Sequence, residues 1–148
     1  MNYQHTQLGY LMIFAIFATA LLFVTIFTKE DLNSSMIIFM TLILLLLSSF
    51  ASLQVTIDAE YLRLKFGYGI YKKSFLLSEI VSVKSVKNHW YYGWGIRVRY
   101  KPYMLIYNVS GFDAVEIQMK DRKIYRIGTD EVKKLEHVII QAIEQSKF

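Results

Sequence analysis

Basic residues alternate with other residues along two stretches of the chain, a spacing that places positive charge along one side of a β-strand. Successive side chains of a strand point to opposite faces, so residues two apart share a face. The candidate basic face comprises Arg63, Lys65, Arg97, Arg99 and Lys101. Such a face is either an ordinary solvated sheet surface or one that attracts an acidic partner or anionic lipid headgroups, at about 1 kcal/mol per basic residue close to a membrane.

A second group of candidate residues lies in a segment rich in aromatic side chains, residues 87–95, which we call the aromatic loop. The candidate membrane or partner interface comprises Lys87, Trp90, Tyr91, Tyr92 and Trp94 of this loop, with Arg97 just beyond it. Trp and Tyr favour the headgroup level of a membrane, because their rings are largely apolar but carry one polar group. The same rings could instead pack over the sheet, and the sequence leaves both interpretations open.

Residues that could carry catalysis are sparse. The three histidines, His5, His89 and His137, are far apart, and no two have the spacing of a metal-binding helix motif. There is no cysteine, so a thiolate nucleophile or thiolate metal site is excluded. The Gly-x-Gly pairs at residues 67–69 and 93–95 neither continue to a third glycine nor open a helix. We therefore expect no catalytic residue, no metal site, no cofactor and no enzymatic activity.

The elements that must position the candidate residues are short β-strands. From residue 53 to residue 127 apolar and polar residues alternate, with turn signals at short spacing. This pattern predicts an antiparallel meander or small barrel of about seven strands. A helical pattern follows, with Thr129 as the predicted N-cap and an end near Gln145. Its apolar face includes Leu135, Val138, Ile139 and Ile143, and Glu136 is expected on the exposed side.

Two long uncharged runs precede the strands. As helices, residues 8–28 reach roughly 31 Å and residues 36–53 roughly 27 Å, close to the thickness of a bilayer's hydrocarbon core. Residues 29–34 between them concentrate charged and turn-forming residues. The runs predict a transmembrane hairpin rather than two buried helices of a soluble protein, because the rest of the chain is too short and too polar to cover both. Residues 1–7 are predicted to remain unfolded at the membrane surface; without Lys or Arg, they are not typical of a cleaved signal peptide.

The charge distribution predicts the orientation of this hairpin. Residues 54–148 contain 16 basic and 10 acidic residues, a net charge of +6, whereas residues 29–34 carry a net charge of −1. By the positive-inside rule, the domain and both termini are expected on the cytoplasmic side of the plasma (inner) membrane, with the turn outside. Neither run contains Asp, Glu, Lys, Arg or His, which argues against a transport pathway.

Four short motifs add a family resemblance. They are residues 93–97 (GWGIR), 107–111 (YNVSG), 114–117 (AVEI) and 127–131 (IGTDE). With these motifs, most of the chain resembles bacterial pleckstrin-homology (PH)-domain proteins that carry two N-terminal membrane spans. Arg122 and Val132 depart from the glycine and the proline that are usual in such sequences. The resemblance implies a seven-stranded, strongly bent sheet capped by a C-terminal helix, but no particular activity.

The expected fold class is therefore an α+β membrane protein. A two-helix transmembrane hairpin (residues 1–53, with spans at about 8–28 and 36–53) precedes a PH-like antiparallel β-barrel or sandwich, capped by a C-terminal α-helix (residues 54–148). We expect a non-enzymatic interaction or scaffold module that presents this domain to a protein partner, to a second copy of itself or to anionic lipid headgroups. The alternative is a regulatory or assembly subunit of a membrane enzyme or transporter complex. Nucleic acid is not expected as a partner, because no recognition helix or RNA-binding signature accompanies the basic residues.

Overall fold

The computed structural model describes residues 2–29, 31 and 33–147. It combines an apolar helical hairpin, two β-sheets and a C-terminal helix, so the α+β class is confirmed. In chain order the elements are β1 (Tyr3–Leu8), α1 (Tyr10–Phe27), α2 (Ser34–Ser48), β2 (Ser52–Ile57), β3 (Tyr61–Phe66), β4 (Lys72–Leu76), β5 (Ile80–Lys87), β6 (Gly95–Tyr100), β7 (Tyr103–Asn108), β8 (Asp113–Met119), β9 (Ile124–Gly128) and α3 (Val132–Gln145). Short 3-10 turns at Leu77–Glu79 and Trp90–Tyr92 precede β5 and β6.

The strands form two sheets and not a closed barrel. Sheet A has the order β1-β2-β3-β4, and sheet B has the order β5-β8-β9-β7-β6. In sheet B, β9 lies between β8 and β7 and runs parallel to β7, whereas the other pairs are antiparallel. The prediction of a simple antiparallel meander is therefore wrong for sheet B. Alternation within a strand shows which side chains share a face, but it does not identify the neighbouring strands.

The apolar positions of the alternating strands face a core between the sheets. In β3, Leu62, Leu64 and Phe66 are each at most 1% exposed. Tyr107 of β7 is among the largest fully buried side chains, and its ring centroid lies 6.0 to 6.4 Å from those of four other aromatic residues. Burial of such large apolar side chains is the main favourable contribution to folding, at about 25 cal/mol per Å² of apolar surface.

The C-terminal helix α3 covers this core as the sequence predicts. Leu135, Val138 and Ile139 are buried, which confirms the predicted apolar face. Glu136 was expected on the exposed side of α3, but its side chain contacts β5. Its carboxylate accepts hydrogen bonds from the backbone N and the Oγ of Ser85, at 3.2 and 2.5 Å. Because β5 is an edge strand, this contact occupies a backbone donor that the edge would otherwise expose.

The N-terminal segment is a strand of sheet A. Residues Tyr3–Leu8 pair antiparallel with β2, from Tyr3 opposite Ile57 to Leu8 opposite Ser52. The prediction that residues 1–7 remain unfolded is therefore wrong from Tyr3 onward, and Met1 lies outside the described residues. The segment has a weak hydrophobic pattern, and its strand conformation depends on β2, which lies far along the chain. The helical hairpin is thus an insertion between two neighbouring strands.

The two apolar runs form helices that are shorter than predicted. α1 is the one helix among the described residues that is long and apolar enough to cross a membrane, whereas α2 has 15 residues and falls short of that length. The second run was predicted to extend to Leu53, but a turn follows Ser48 and Leu53 is buried in β2. An apolar stretch does not by itself distinguish the end of a helix from the start of a buried strand. Between the helices, Asn33 caps α2 through its side chain, and Glu30 and Leu32 of the predicted turn lie outside the described residues.

Candidate interaction surface

The two ends of the helical hairpin meet at one side of the domain. The backbone N of Gly9 donates a hydrogen bond to the carbonyl oxygen of Ala51 at 2.7 Å. A Cβ on Gly9 would lie 2.9 Å from the carbonyl oxygen of Val109. Gly67, at a φ of +45°, passes so close to the backbone of Ser49 that a Cβ there would overlap it. These contacts fix the hairpin to the domain, and we call this side, where β1 ends and β2 begins, the hairpin end.

Three loops of the domain gather at the hairpin end: the turn between β3 and β4, the loop between β7 and β8, and the aromatic loop. Gln7 at the end of β1 donates through Nε2 to the carbonyl oxygen of Ser110 at 3.2 Å. The carbonyl oxygen of Phe112 accepts from the backbone N of Asn88 at 2.6 Å, and the ring centroids of Phe112 and Trp94 lie 6.2 Å apart. The aromatic loop is therefore linked through neighbouring loops to the base of the hairpin.

The structure divides the rings of the aromatic loop into two kinds. Trp90 and Tyr91 are 76% and 58% exposed, whereas Tyr92 and Trp94 are partly buried. The ring of Tyr92 lies 4.6 Å from the guanidinium carbon of Arg99, a cation–π contact that holds the loop against sheet B. Tyr92 and Trp94 thus pack against the domain, whereas the rings of Trp90 and Tyr91 are largely exposed. Lys87 of the same candidate set is exposed at the end of β5.

A polar network fixes the start of the aromatic loop. The buried carboxylate of Glu116 accepts from Arg126 Nε at 2.8 Å and lies 3.1 Å from Lys84 Nζ. Arg126 also donates through Nη1 to Asn88 Oδ1 at 3.2 Å. Burial acts to raise the pKa of Glu116, but the hydrogen bonds from Arg126 and Lys84 outweigh it and the pKa is lowered. Sequence reasoning missed this network because its members come from three separate stretches of the chain, at residues 84–88, 116 and 126.

The candidate basic face is divided between the two sheets. Arg63 and Lys65 belong to β3 in sheet A, whereas the other three candidates belong to β6 at the edge of sheet B or to the turn after it. Arg63 is ion-paired with Asp58, and its guanidinium carbon lies 5.0 Å from the ring centroid of Tyr61. The five residues therefore do not form one surface, because alternation within a strand does not reveal the sheet to which that strand belongs.

The basic residues of β6 are partly occupied by contacts within the chain. Arg97 donates through Nε to the carbonyl oxygen of Trp94 at 2.9 Å. Arg99 lies over the ring of Tyr92, and its Nη2 is 3.4 Å from the carbonyl oxygen of Lys101. Both arginines of β6 therefore contact residues of the aromatic loop and help to hold it in place. Lys101 and Arg97 remain exposed.

Lys65 of the candidate basic face forms a pair with Lys72, which the sequence reasoning missed. Lys72 of β4 lies directly opposite Lys65 of β3, on the same face of sheet A. The Cε atoms of Lys72 and Lys65 lie 2.7 and 3.3 Å from the position that a Cβ on Gly69 would occupy. Among the residues that the structure describes, no carboxylate lies within 4.0 Å of either ammonium group. The register of β3 and β4 brings the two charges together.

The three histidines lie on different elements. His5 on β1 has Nε2 at 2.5 Å from Asp130 Oδ1 and Nδ1 at 3.5 Å from Glu131 Oε2, contacts that connect β1 to the corner before α3. His89 stacks on the ring of Tyr91 with centroids 5.1 Å apart, and His137 is exposed on α3. Within the described part of the chain, no three His, Cys, Asp or Glu residues are grouped so that they could hold a metal ion.

The motifs behind the family resemblance have structural roles. Asn108 donates through Nδ2 to the carbonyl oxygen of Gly111 at 2.9 Å and accepts from the backbone N of Ser110 at 3.3 Å, which closes the loop between β7 and β8. Gly128 lies against this side chain, and a Cβ there would overlap Asn108 Oδ1. Comparisons of the chain with protein-family models, with curated proteins and with solved structures find no match.

Proposed function

We propose that this protein is a membrane-anchored interaction module without enzymatic activity of its own. In this proposal the helical hairpin crosses the plasma (inner) membrane twice, and it holds a PH-like domain against the cytoplasmic face. The domain then contacts lipid headgroups, a protein partner or a second copy of the chain there.

The observation that carries the proposal is the attachment of both hairpin ends to one sheet. The chain leaves the domain at Gly9 and returns at Ala51, and these residues share a hydrogen bond of 2.7 Å. A single membrane crossing would separate them by roughly 30 Å, the thickness of the hydrocarbon core. Two crossings keep them together. α2 is short for a span, and a short span is accommodated by local thinning of the bilayer or by flanking residues that reach the interface.

The surface of the hairpin supports the same proposal. None of the α1 residues is buried in the domain, and large apolar side chains such as Phe14, Phe17 and Leu21 are 59–71% exposed. A helix that is apolar on all sides needs a protein core or a membrane around it. Cleavage after α1, as for a signal sequence, would remove β1 from sheet A together with the buried Tyr3. Retention of the helix therefore agrees better with the sheet than removal does.

The PH-like assignment rests on the order of the elements. Strands that precede a C-terminal helix packed over the core support it, although the described residues form nine strands in two sheets and the resemblance implies a single sheet of seven. The parallel pairing of β7 with β9 is a departure from a purely antiparallel arrangement. An interaction role is supported by Trp90 and Tyr91, which are exposed at the hairpin end. Their loop is held against sheet B by the contact between Tyr92 and Arg99.

Topology mapping of the full-length protein tests the proposal. The domain carries a net charge of +6, so a reporter fused after residue 148 should be active only in a cytoplasmic assay. A reporter inserted after Lys29 should respond only in the assay for the opposite side, and the protein should resist extraction with alkaline carbonate. External activity of the C-terminal fusion, or release by carbonate, would contradict the proposal.

A further inference from the structure

The lysine pair places two like charges side by side at the hairpin end. Lys65 and Lys72 face each other across β3 and β4, and like charges in directly opposite positions destabilise an antiparallel pair. Gly69, at a φ of +93°, has no Cβ and leaves room for the two side chains to converge. In the part of the chain that the structure describes, neither ammonium has a carboxylate partner. An anion bound between the two ammonium groups would offset their repulsion, because both groups attract it.

The turn beside the lysine pair lies against the end of α2. The backbone N of Gly67 donates to the carbonyl oxygen of Ser52 at 3.0 Å, and the hydroxyl of Tyr68 is hydrogen-bonded to Oγ of Ser48, the last residue of α2. If α2 crosses the membrane as proposed, this turn lies at the level of the lipid headgroups. The lysine pair then lies where lipid phosphate groups are concentrated.

The exposed side chains of the turn fit the same environment. Tyr68 and Ile70 are 61% and 72% exposed, although both are large and Ile70 is fully apolar. Tyrosine is favoured at the membrane interface, and an apolar neighbour contacts the upper part of the acyl chains. A free phosphate in the cytoplasm would need the two lysines but would gain nothing from these two residues.

We propose that Lys65 and Lys72, together with the Tyr68–Ile70 side of the turn between them, bind the phosphate of an anionic phospholipid headgroup, an inference that rests on the proposed membrane anchoring. Each lysine adds attraction to an anionic lipid and the two act on the same phosphate. We expect each single substitution to glutamine to weaken binding about five-fold and the double substitution about 30-fold.

Native mass spectrometry of the full-length protein in mild detergent tests this site. Wild type should retain phosphatidylglycerol in preference to phosphatidylcholine, and Lys65→Gln/Lys72→Gln should lose most of that preference. The matched control is Lys120→Gln/Lys123→Gln, which removes the same charge from the β8–β9 turn at the opposite end of the domain and should behave as wild type. Glycerol phosphate, added at the same concentration as the lipid, should not displace phosphatidylglycerol.

Thermal unfolding separates a binding role from a structural one. Without anionic lipid, the double variant should melt at the same temperature as wild type or higher, because the repulsion is removed. With phosphatidylglycerol, wild type should gain stability and the double variant should not. A lower melting temperature of the double variant without lipid would contradict the proposal.

Four further results would also overturn the site. They are an equal lipid preference in wild type and the double variant, the absence of any preference in wild type, an equal loss in the lysine control, and displacement by glycerol phosphate. Carbonate extraction of the same samples tells the two proposals apart. A wild type that resists extraction but lacks the lipid preference contradicts the lipid site alone, whereas release from the membrane contradicts the anchoring and the site together.

Discussion

At the turn between β8 and β9, Arg122 adopts a φ of +65°, in the left-handed region that glycine occupies without strain. It is also the position at which the family that the chain resembles was expected to have glycine, and a glycine there would not be strained. At two other positions, glycine is needed because neighbouring atoms leave no room for a Cβ. Gly67 allows the turn between β3 and β4 to touch the end of α2, and Gly128 leaves room for the Asn108 side chain. At these positions backbone geometry constrains the choice of residue.

Replacement of Arg122 by glycine should therefore stabilise the protein. The left-handed conformation costs a residue with a Cβ about 1–2 kcal/mol, and the greater freedom of glycine in the unfolded chain offsets about half of that. We expect a net gain of about 0.5–1 kcal/mol, which raises the melting temperature of the full-length protein in detergent by about 2–3 °C.

The neighbouring Lys123→Gly provides the control, because Lys123 does not share the positive φ. It should lower the melting temperature, since there the flexibility of glycine brings no relief of strain. If both variants destabilise the protein equally, the backbone of Arg122 is not strained.

At the scale of elements, the aromatic loop is held against sheet B and carries two exposed rings, those of Trp90 and Tyr91. Arg99 and Arg126 both place a guanidinium carbon within 6 Å of the Tyr92 ring centroid, at 4.6 and 5.8 Å. The polar network of Arg126 and Glu116 lies beside them and extends to Asn88, the second residue of the loop. The loop is thus fixed by contacts with β6, β8 and β9, while Trp90 and Tyr91 project from it.

We expect the fluorescence of Trp90 to report a membrane contact of this loop. In a Trp94→Phe background, Trp90 is the only tryptophan, and its exposed side chain should emit at long wavelength in detergent. Reconstitution into nanodiscs that contain anionic lipid should shift the emission to the blue, since the ring enters a less polar layer.

The matched protein keeps Trp94 and carries Trp90→Phe. Trp94 is partly buried beside Phe112, so its emission should change less between detergent and nanodiscs. An emission from Trp90 that is already blue in detergent, or that does not respond to the lipid, would favour packing over membrane contact.

At the scale of the whole molecule, the hairpin and the domain are one connected unit. Because β1 precedes the hairpin and pairs with β2, sheet A contains strands from both sides of the hairpin. His5 adds contacts to Asp130 and Glu131 on the far side of the domain, and Gln7 adds one to the β7–β8 loop. A chain that begins at residue 52 would lack all of these contacts and would expose the edge of β2.

This connection predicts that the hairpin can be replaced by a short turn. Leu8 and Ser52 are directly paired neighbours in antiparallel strands, so Asn-Gly in place of residues 9–51 should close them as a two-residue β-hairpin. We expect this shortened protein to be soluble and folded, with a single cooperative thermal transition by circular dichroism.

The comparison protein is residues 52–147 alone, without β1. It should melt at a lower temperature or aggregate, because the unpaired edge of β2 is a template for association. Equal melting temperatures of the two proteins would show that β1 contributes little to the fold.

The sequence by itself determined the local features of this protein. The period-two alternation located the strands from β2 to β9, and the helical period located the buried face of α3, because both patterns arise from the geometry of a single element. Charge-free runs identified the helical hairpin for the same reason, although they placed the end of its second helix at Leu53 and not at Ser48.

Tertiary structure alone decided the rest. It recruited residues Tyr3–Leu8 to sheet A, inserted β9 between β7 and β8, and divided the basic residues between two sheets. It also brought Lys72 opposite Lys65, since strand register depends on the packing of the whole sheet and not on the pattern of either strand.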